Sequence, residues 1–435
     1  MKPIKEIVLC ILIAVFFSEC QKDKQIDEPI EGPEIVDGSF LNALIKAGID
    51  TDGDSIISSK EAEVVRYLDV SSCGISDLSG IQGFINLDSL YCHSNNLNHL
   101  DLSGNTKLRF LSCSYNPELE DINLTGLSSL TLLDCFGCSL TTLDLSTNVK
   151  LENLYCAQNL LTKLDVSKNI LLLAITCYNN QLTEIDLSGA ANLGYVSCDG
   201  NELTSLDISK NLKLTTLYCG ANHLTVLNTS NNTLLEDLLC YRNLLAGLDL
   251  SHNAHLTQLD IAYNRMNSLD ISKNELLTSF SSSGNPLIDY TSILNRPAIE
   301  YLLLDSCNLA SLDVTHLPVL KLLWCSKNKL TSIDLSNNPS LELLSCSDNN
   351  LTSLDLSNAP ALKTFSCSRN LLTSLDISKN TRLGEGGCGC AYCVYMEDMP
   401  SLQKVCVWTM PFPPSGLDIS TSGSPNVYYT TDCSR

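Results

Sequence analysis

Basic charge is scarce in this chain. Lys and Arg number 27 against 49 Asp and Glu, a formal net charge of −22 at pH 7. Nothing supplies the basic stripe that a phosphate backbone requires, so nucleic acid is excluded as a partner. Histidine is scarcer still: His93, His99, His223, His252, His255 and His316 share no common setting, and none sits in a nucleophile or metal motif. The glycine-rich run GEGGCG near residue 384 lacks the strand-to-helix context of a phosphate loop. No catalytic constellation emerges, and no enzyme is expected. An apolar run of bilayer-spanning length is also missing, since Ile7 to Phe17 is only of signal-peptide length. Charged residues make up 17% of the chain, too few for a disordered polyelectrolyte.

What is abundant is repetition. Residues 151–170 read LENLYCAQNLLTKLDVSKNI, and steps of 21 residues carry Cys156 onto Cys177, Cys198, Cys219 and Cys240. A fixed period of that size marks a solenoid, which grows in length without thickening its core, so one elongated domain accounts for 435 residues. Within the unit, Leu151, Leu154, Cys156, Leu161, Leu164 and Val166 form an apolar set. Leu154-Tyr155-Cys156 and Leu164-Asp165-Val166 each alternate in, out, in, as short half-buried strands do. Asn159 and Asn169 fall at the two corners, where a side-chain amide can pair with main-chain groups that tight stacking would leave buried and unsatisfied.

These residues resemble the leucine-rich repeat family, whose LxxLxLxxN pattern is matched with Cys in the third apolar slot. The stacked cysteine column is similar to the internalin J type of bacterial surface repeat, in register through nearly all of residues 68–388. The resemblance implies a parallel sheet on a concave face, short extended segments on the convex face, and a binding role with no particular ligand specified. The ladder runs Cys92, Cys113, Cys135, Cys156, Cys177, Cys198, Cys219 and Cys240, is interrupted at Ile261, Ser282 and Leu304, and resumes at Cys325, Cys346 and Cys367. Parallel coils set equivalent Cβ atoms about 4.8 Å apart, whereas a disulfide prefers about 3.8 Å, so the column reads as free, buried thiols. Cys138, Cys73 and Cys307 take the Asn slot. The interruption coincides with an irregular stretch, Asn285 to Pro297, where a change of curvature is expected.

The ends differ from the array. Met1-Lys2-Pro3-Ile4-Lys5, the apolar run and Phe17-Ser18-Glu19-Cys20 resemble a bacterial lipoprotein signal, with Cys20 the lipidated first residue of the mature chain. Glu19 departs from the small residue usual there. Gln21-Lys22-Asp23 resembles the surface-export tag of Bacteroidetes lipoproteins. That resemblance implies an outer-membrane lipoprotein facing outward, with plain secretion the alternative. Residues 21–37 read as a tether and 38–67 as an N-terminal cap. Within the cap, DTDGDSIISSKE resembles an EF-hand calcium loop: Asp50, Asp52 and Asp54 take the first, third and fifth positions. Ile56 would offer its carbonyl, Ser58 would act directly or through water, and Glu61 would close the shell. Ser55 stands where the family places Gly. An acidic capping loop without metal is the alternative.

Residues 389–435 form the C-terminal cap. Two strand-like pieces around a Pro-rich turn suggest a β-hairpin closed by Cys406 with Cys433. Cys390 with Cys393 could form a second bridge, with zinc on Cys388, Cys390, Cys393 and Cys406 the alternative.

The functional signal lies in the aromatics. Positions flanking the inward Leu and Cys of the first strand carry Tyr91, Phe110, Phe136, Tyr155, Tyr178, Tyr195, Tyr218, Tyr241, Tyr301 and Trp324, whereas the second segment of the same coils carries none. Strands favour aromatics in any case. Yet an exposed run with a hydroxyl on most members suits a protein partner, or sugar rings stacking on aromatic faces. The expected function is recognition on the concave face of a surface solenoid, by a protein partner first and a glycan second. A structural spacer is the rival from another class.

Overall fold

The computed structural model describes residues 32–286, 288–386 and 393–433. The signal segment with Cys20, most of the tether, and Cys388 and Cys390 lie outside the described residues. The chain coils 21 or so residues per turn because its apolar positions recur at that step. Leu151, Leu154, Cys156, Leu161, Leu164 and Val166 are each 2% exposed or less, and each buried Leu contributes about 2 kcal/mol of transfer free energy. One strand of two or three residues per coil joins a 17-stranded sheet, parallel throughout. Leu154 stands opposite Leu133 and Ile175, so every inward residue stacks on its equivalent.

A second extended segment on the opposite side pairs only locally. His99–Asp101 runs with Asp121–Asn123, and Lys163–Asp165 with Glu184–Asp186. Farther along, Asp249 and Asp270, then Asp313 and Asp334, meet as isolated bridges. The aspartates of this segment turn outward and accept the main-chain N–H two residues on, Ser167 to Asp165 at 2.8 Å for example. Those local bonds offset the repulsion of a like-charged column.

Asparagine closes the corner after most sheet strands, with Cys73, Cys138 and Cys307 in its place in three coils. Asn180 donates to the carbonyls of Cys156 and Cys177, both at 3.0 Å, and accepts the Leu161 N–H at 3.0 Å. One side chain thus satisfies groups of two coils. The residue just before this asparagine adopts a left-handed backbone, φ near +50° at Gln158, Asn179, Ala221 and Arg242, a cost of about 1–2 kcal/mol per turn for non-glycine residues that the asparagine bonds offset.

The N-terminal end is covered by α1 (Gly38–Lys46) and α2 (Ser59–Val64). Asp37 caps α1, and Ser58 with Glu61 forms a capping box on α2. Phe40 packs against Phe84 of the first coils with ring centroids 6.5 Å apart. In the irregular stretch 285–297 a single helical turn, α3 (Thr291–Leu294), replaces the second segment. The sheet passes it without a slip, Phe280 facing Leu302. Tyr290 is buried there, its hydroxyl donating to the Asn285 carbonyl at 2.8 Å with Cys307 Sγ 3.2 Å away.

The C-terminal segment corrects one expectation. Lys404–Cys406 and Tyr428–Thr430 are not the arms of a hairpin. They lie parallel, Cys406 opposite Thr430, and extend the second sheet from Ser374–Asp376. Val394–Tyr395 and Ile419–Ser420 likewise extend the long sheet. From Val394 to Thr430 the described strands continue both sheets.

Candidate functional site

Because Leu154 and Cys156 point inward, the residues before, between and after them face out, and stacking turns those positions into three columns. Phe110, Tyr195 and Tyr301 stand in the first; Tyr91, Tyr155, Tyr218 and Trp324 in the second; Phe136, Tyr178 and Tyr241 in the third. All ten are half-buried or exposed, while Phe280 and Phe365 fill inward slots. The successive residues Tyr155, Tyr178, Tyr195, Tyr218 and Tyr241 therefore zigzag across the face and do not form a straight stripe. Rings meet in local pairs: Tyr195 with Tyr218 at 5.7 Å edge-on, Phe136 with Tyr178 at 6.2 Å, Tyr115 with Phe136 at 5.1 Å.

The rings lie against the sheet where a small neighbour leaves room. A Cβ on Gly220 would come within 2.4 Å of the Tyr241 ring, and one on Gly284 within 2.7 Å of Tyr263. Burial raises the Tyr155, Tyr195, Tyr218 and Tyr241 hydroxyls above the usual phenol range, so all stay neutral donors at physiological pH.

Sequence reasoning passed over two features of this face. Tyr67, 62% exposed, extends the aromatic set one coil earlier and meets Tyr91 at 5.4 Å. Carrying the register back from Leu90 to Leu68 would have found it. The other is a group of aspartates among the rings. Asp134 accepts the Ser112 hydroxyl at 2.9 Å. Burial raises Asp199, Asp237, Asp260 and Asp305 above the ordinary carboxylate range. Two depressions result: one of about 240 Å³ among Tyr91, Phe110, Tyr155 and Asp134, the other of about 190 Å³ among Tyr241, Tyr263, Trp324, Asp260 and Asp305. Beyond Trp324 hydroxyls replace rings, with Ser326 and Ser345 bonded at 2.8 Å.

Elsewhere, the ladder cysteines are free and buried, and burial pushes the Cys156 thiol up to about 12. Cys406 is disulfide-bonded to Cys433, Cα atoms 5.5 Å apart, and Cys393 is also disulfide-bonded. In the loop between α1 and α2, carboxylate oxygens of Asp50, Asp52 and Asp54 lie within 4.8 Å of one another. Ser55 takes the left-handed turn at φ 64°, and Ile56 is exposed while Ile57 is buried. Glu61 accepts the Thr51 N–H and hydroxyl at 2.6 and 2.7 Å and the Ser58 N–H and hydroxyl at 2.9 Å each. Bonds from the Thr51 side chain and main chain, then from Ser58, hold its carboxyl down at about 2.

Parallel coils at this period, with an asparagine corner and a buried cysteine column, define a leucine-rich repeat solenoid. The leucine-rich repeat profile matches residues 252–268. No curated protein matches the chain. Among solved structures, the functional domain of InlJ from Listeria monocytogenes, which includes a cysteine ladder, is 31% identical with a TM-score of 0.72, over 85% of this chain and 82% of that one. The leucine-rich repeat protein LIC12759 of Leptospira interrogans shares the fold at 19% identity and a TM-score of 0.65, over 86% and 97%. A plant peptide hormone receptor, RGFR1 in complex with RGF2, shares it at 18% and 0.56, over 75% and 60%. The chain belongs to the leucine-rich repeat family, and its cysteine ladder is similar to that of InlJ. Scaffolds of this kind commonly present an extended surface to ligands or proteins and are typically not enzymes.

Proposed function

We propose that the chain is a cell-surface recognition protein, lipid-anchored in the outer membrane through Cys20, that takes a protein partner on the exposed face of its long sheet and catalyses nothing. One observation carries the reading: from Tyr67 to Ser368 the outward positions of this sheet hold eleven aromatics in three columns, and the second segment of the same coils, through Asp376, holds none. Core demand explains only inward rings. Tyr and Trp contribute large contact area at little rotamer cost, and a rigid sheet presents them already ordered. The test is to display the mature chain to a library of cell-surface proteins and to a glycan array. A protein hit supports the reading, and glycans alone would replace it with the second one, glycan capture. That second reading is favoured by the serine hydroxyls beside Trp324.

We further infer a calcium site in the N-terminal cap. The donor set fits: Asp50, Asp52 and Asp54 converge, all hard oxygen ligands. Ile56 and Ser58 follow at the spacing that would supply a carbonyl and a hydroxyl. Glu61 would exchange bonds to Thr51 and Ser58 for the ion. The ion would rigidify the loop that joins α1 to α2 and leave recognition to the sheet.

A further inference from the structure

The three outward columns, from Tyr67 to Ser368, contain not one Lys or Arg. They contain Asp69, Asp134, Asp199, Asp237, Asp260 and Asp305, set among the aromatic rings and carrying more than their share of an already acidic chain. Cations stand one position outside the columns. Arg242 is committed to the Tyr263 ring, 5.6 Å from its centroid, and Lys327, on the coil after Asp305 and next to Ser326, draws the Asp305 pKa down against the rise from burial.

The depression at the break in the cysteine ladder concentrates this pattern. Ser281 and Ser283 are small and buried, so the surface dips by about 190 Å³ between the rings. Trp324, 37% exposed, and Tyr263, 49% exposed, border it. Each acid in it is held by a main-chain N–H, and Asp260 by the Ser281 hydroxyl as well. Asp260 accepts the Ala262 N–H at 2.9 Å, and Asp305 accepts the Ser326 N–H at 2.6 Å. Among the described residues no donor reaches the other oxygen of Asp305. Arg242 also lines the depression, over the Tyr263 ring, which leaves an open carboxylate oxygen of Asp305 and the Trp324 ring to a primary ammonium or a guanidinium, which gains a charge-assisted bond and a cation–π contact together.

We propose that the partner is cationic where it meets this face and that the depression bordered by Trp324, Tyr263, Asp260 and Asp305 receives one of its lysine or arginine side chains. The proposal rests on the sheet face being the binding surface and adds the chemistry of what binds there. Neighbouring aspartates spread along the face would steer a basic segment along the stack of coils, so association should weaken with salt.

The chain has two tryptophans, Trp324 and Trp408, so the emission lost on Trp324→Phe identifies the Trp324 signal. The probe is capped tetralysine, titrated at low and at near-molar salt, with tetraglutamate and a neutral tetrasaccharide as comparisons. Tetralysine should perturb Trp324 emission saturably, and Asp260→Asn with Asp305→Asn, or high salt, should weaken it by about tenfold or more. Should the pair fail to fold, Asp305→Asn alone serves, since among the described residues its side chain accepts only the Ser326 N–H. No response to tetralysine, a response unchanged in the aspartate variants, or an equal response to tetraglutamate or the sugar overturns the proposal. With a captured partner the two readings separate: binding lost on tyrosine replacement but kept by the aspartate variants overturns only the cationic assignment.

Discussion

Thr229 donates its hydroxyl to the side-chain oxygen of Asn253 across 2.8 Å, from one coil to the next. Asn253 also donates to the Thr229 carbonyl at 3.1 Å and to the Asn232 carbonyl at 2.9 Å, so its amide is fully used. Eight asparagines at the same corner, Asn338 among them, make the two donations but find no donor for their oxygen among the described residues. In those coils an aliphatic side chain stands where Thr229 does.

Val314→Thr should therefore be close to neutral, within about 1 kcal/mol, because its hydroxyl would meet the Asn338 oxygen. Val166→Thr, equally buried, should cost about 1–3 kcal/mol, because Ala190 stands where that asparagine would be. Urea unfolding of both variants checks the pair, and equal costs would contradict the account of this corner.

The ladder thiols should resist alkylation in the native state and react after unfolding. Cys156 is fully buried, and its thiol is raised to about 12 by that burial, so little thiolate exists at neutral pH. Cys73, exposed and free, should react natively. Intact-mass counting of alkylated thiols with and without denaturant checks both statements.

The coil was legible in the sequence because each inward position must recur at one step if the coils are to stack, and Leu154, Cys156 and Leu164 recur at it. Direction at the C-terminus was not. Cys406 and Cys433 on strand-like pieces around a Pro-rich turn read equally as hairpin arms or as successive coils. The offset that pairs Lys404 with Tyr428, close to one repeat, was the discriminating sign. On the face, alternation correctly put Tyr155 and Tyr178 outward, but their distribution over three columns appears only when coils are laid in register. Asp260 and Asp305 escaped notice because the rings that share their depression, Tyr241, Tyr263 and Trp324, come from other positions along the chain.

Acidity should act on the two aspartate sets in opposite senses. Burial raises Asp199, Asp260 and Asp305, so their ionisation costs folded stability as pH climbs past the ordinary carboxylate value, and the native chain binds more protons than the unfolded one in that window. Asp186 and Asp249 are lowered by bonds from Ser188 and Ser251, so their contribution is present above the ordinary value and lost as pH falls through their lowered values. Asp260→Asn with Asp305→Asn should raise the thermal midpoint more at pH 7 than at pH 4. A gain independent of pH would contradict the assignment.

Calcium at about 1 mM should raise the thermal midpoint relative to EDTA, because an ion bound only by the folded loop stabilises by mass action. Asp50→Ala with Glu61→Ala should abolish the shift. An equal shift in that variant would place the effect elsewhere.

The central claim is that binding energy resides in rings on the sheet face. It is tested most directly by measuring affinity for a captured partner with Tyr155, Tyr178 and Tyr218 replaced together by alanine, alongside thermal unfolding. Each ring should carry about 1–2 kcal/mol of binding, so the triple variant should fold, with a modestly lower midpoint, and lose affinity by at least about a hundredfold. A triple variant that keeps both its fold and its full affinity would contradict the claim and leave these aromatics as strand formers only.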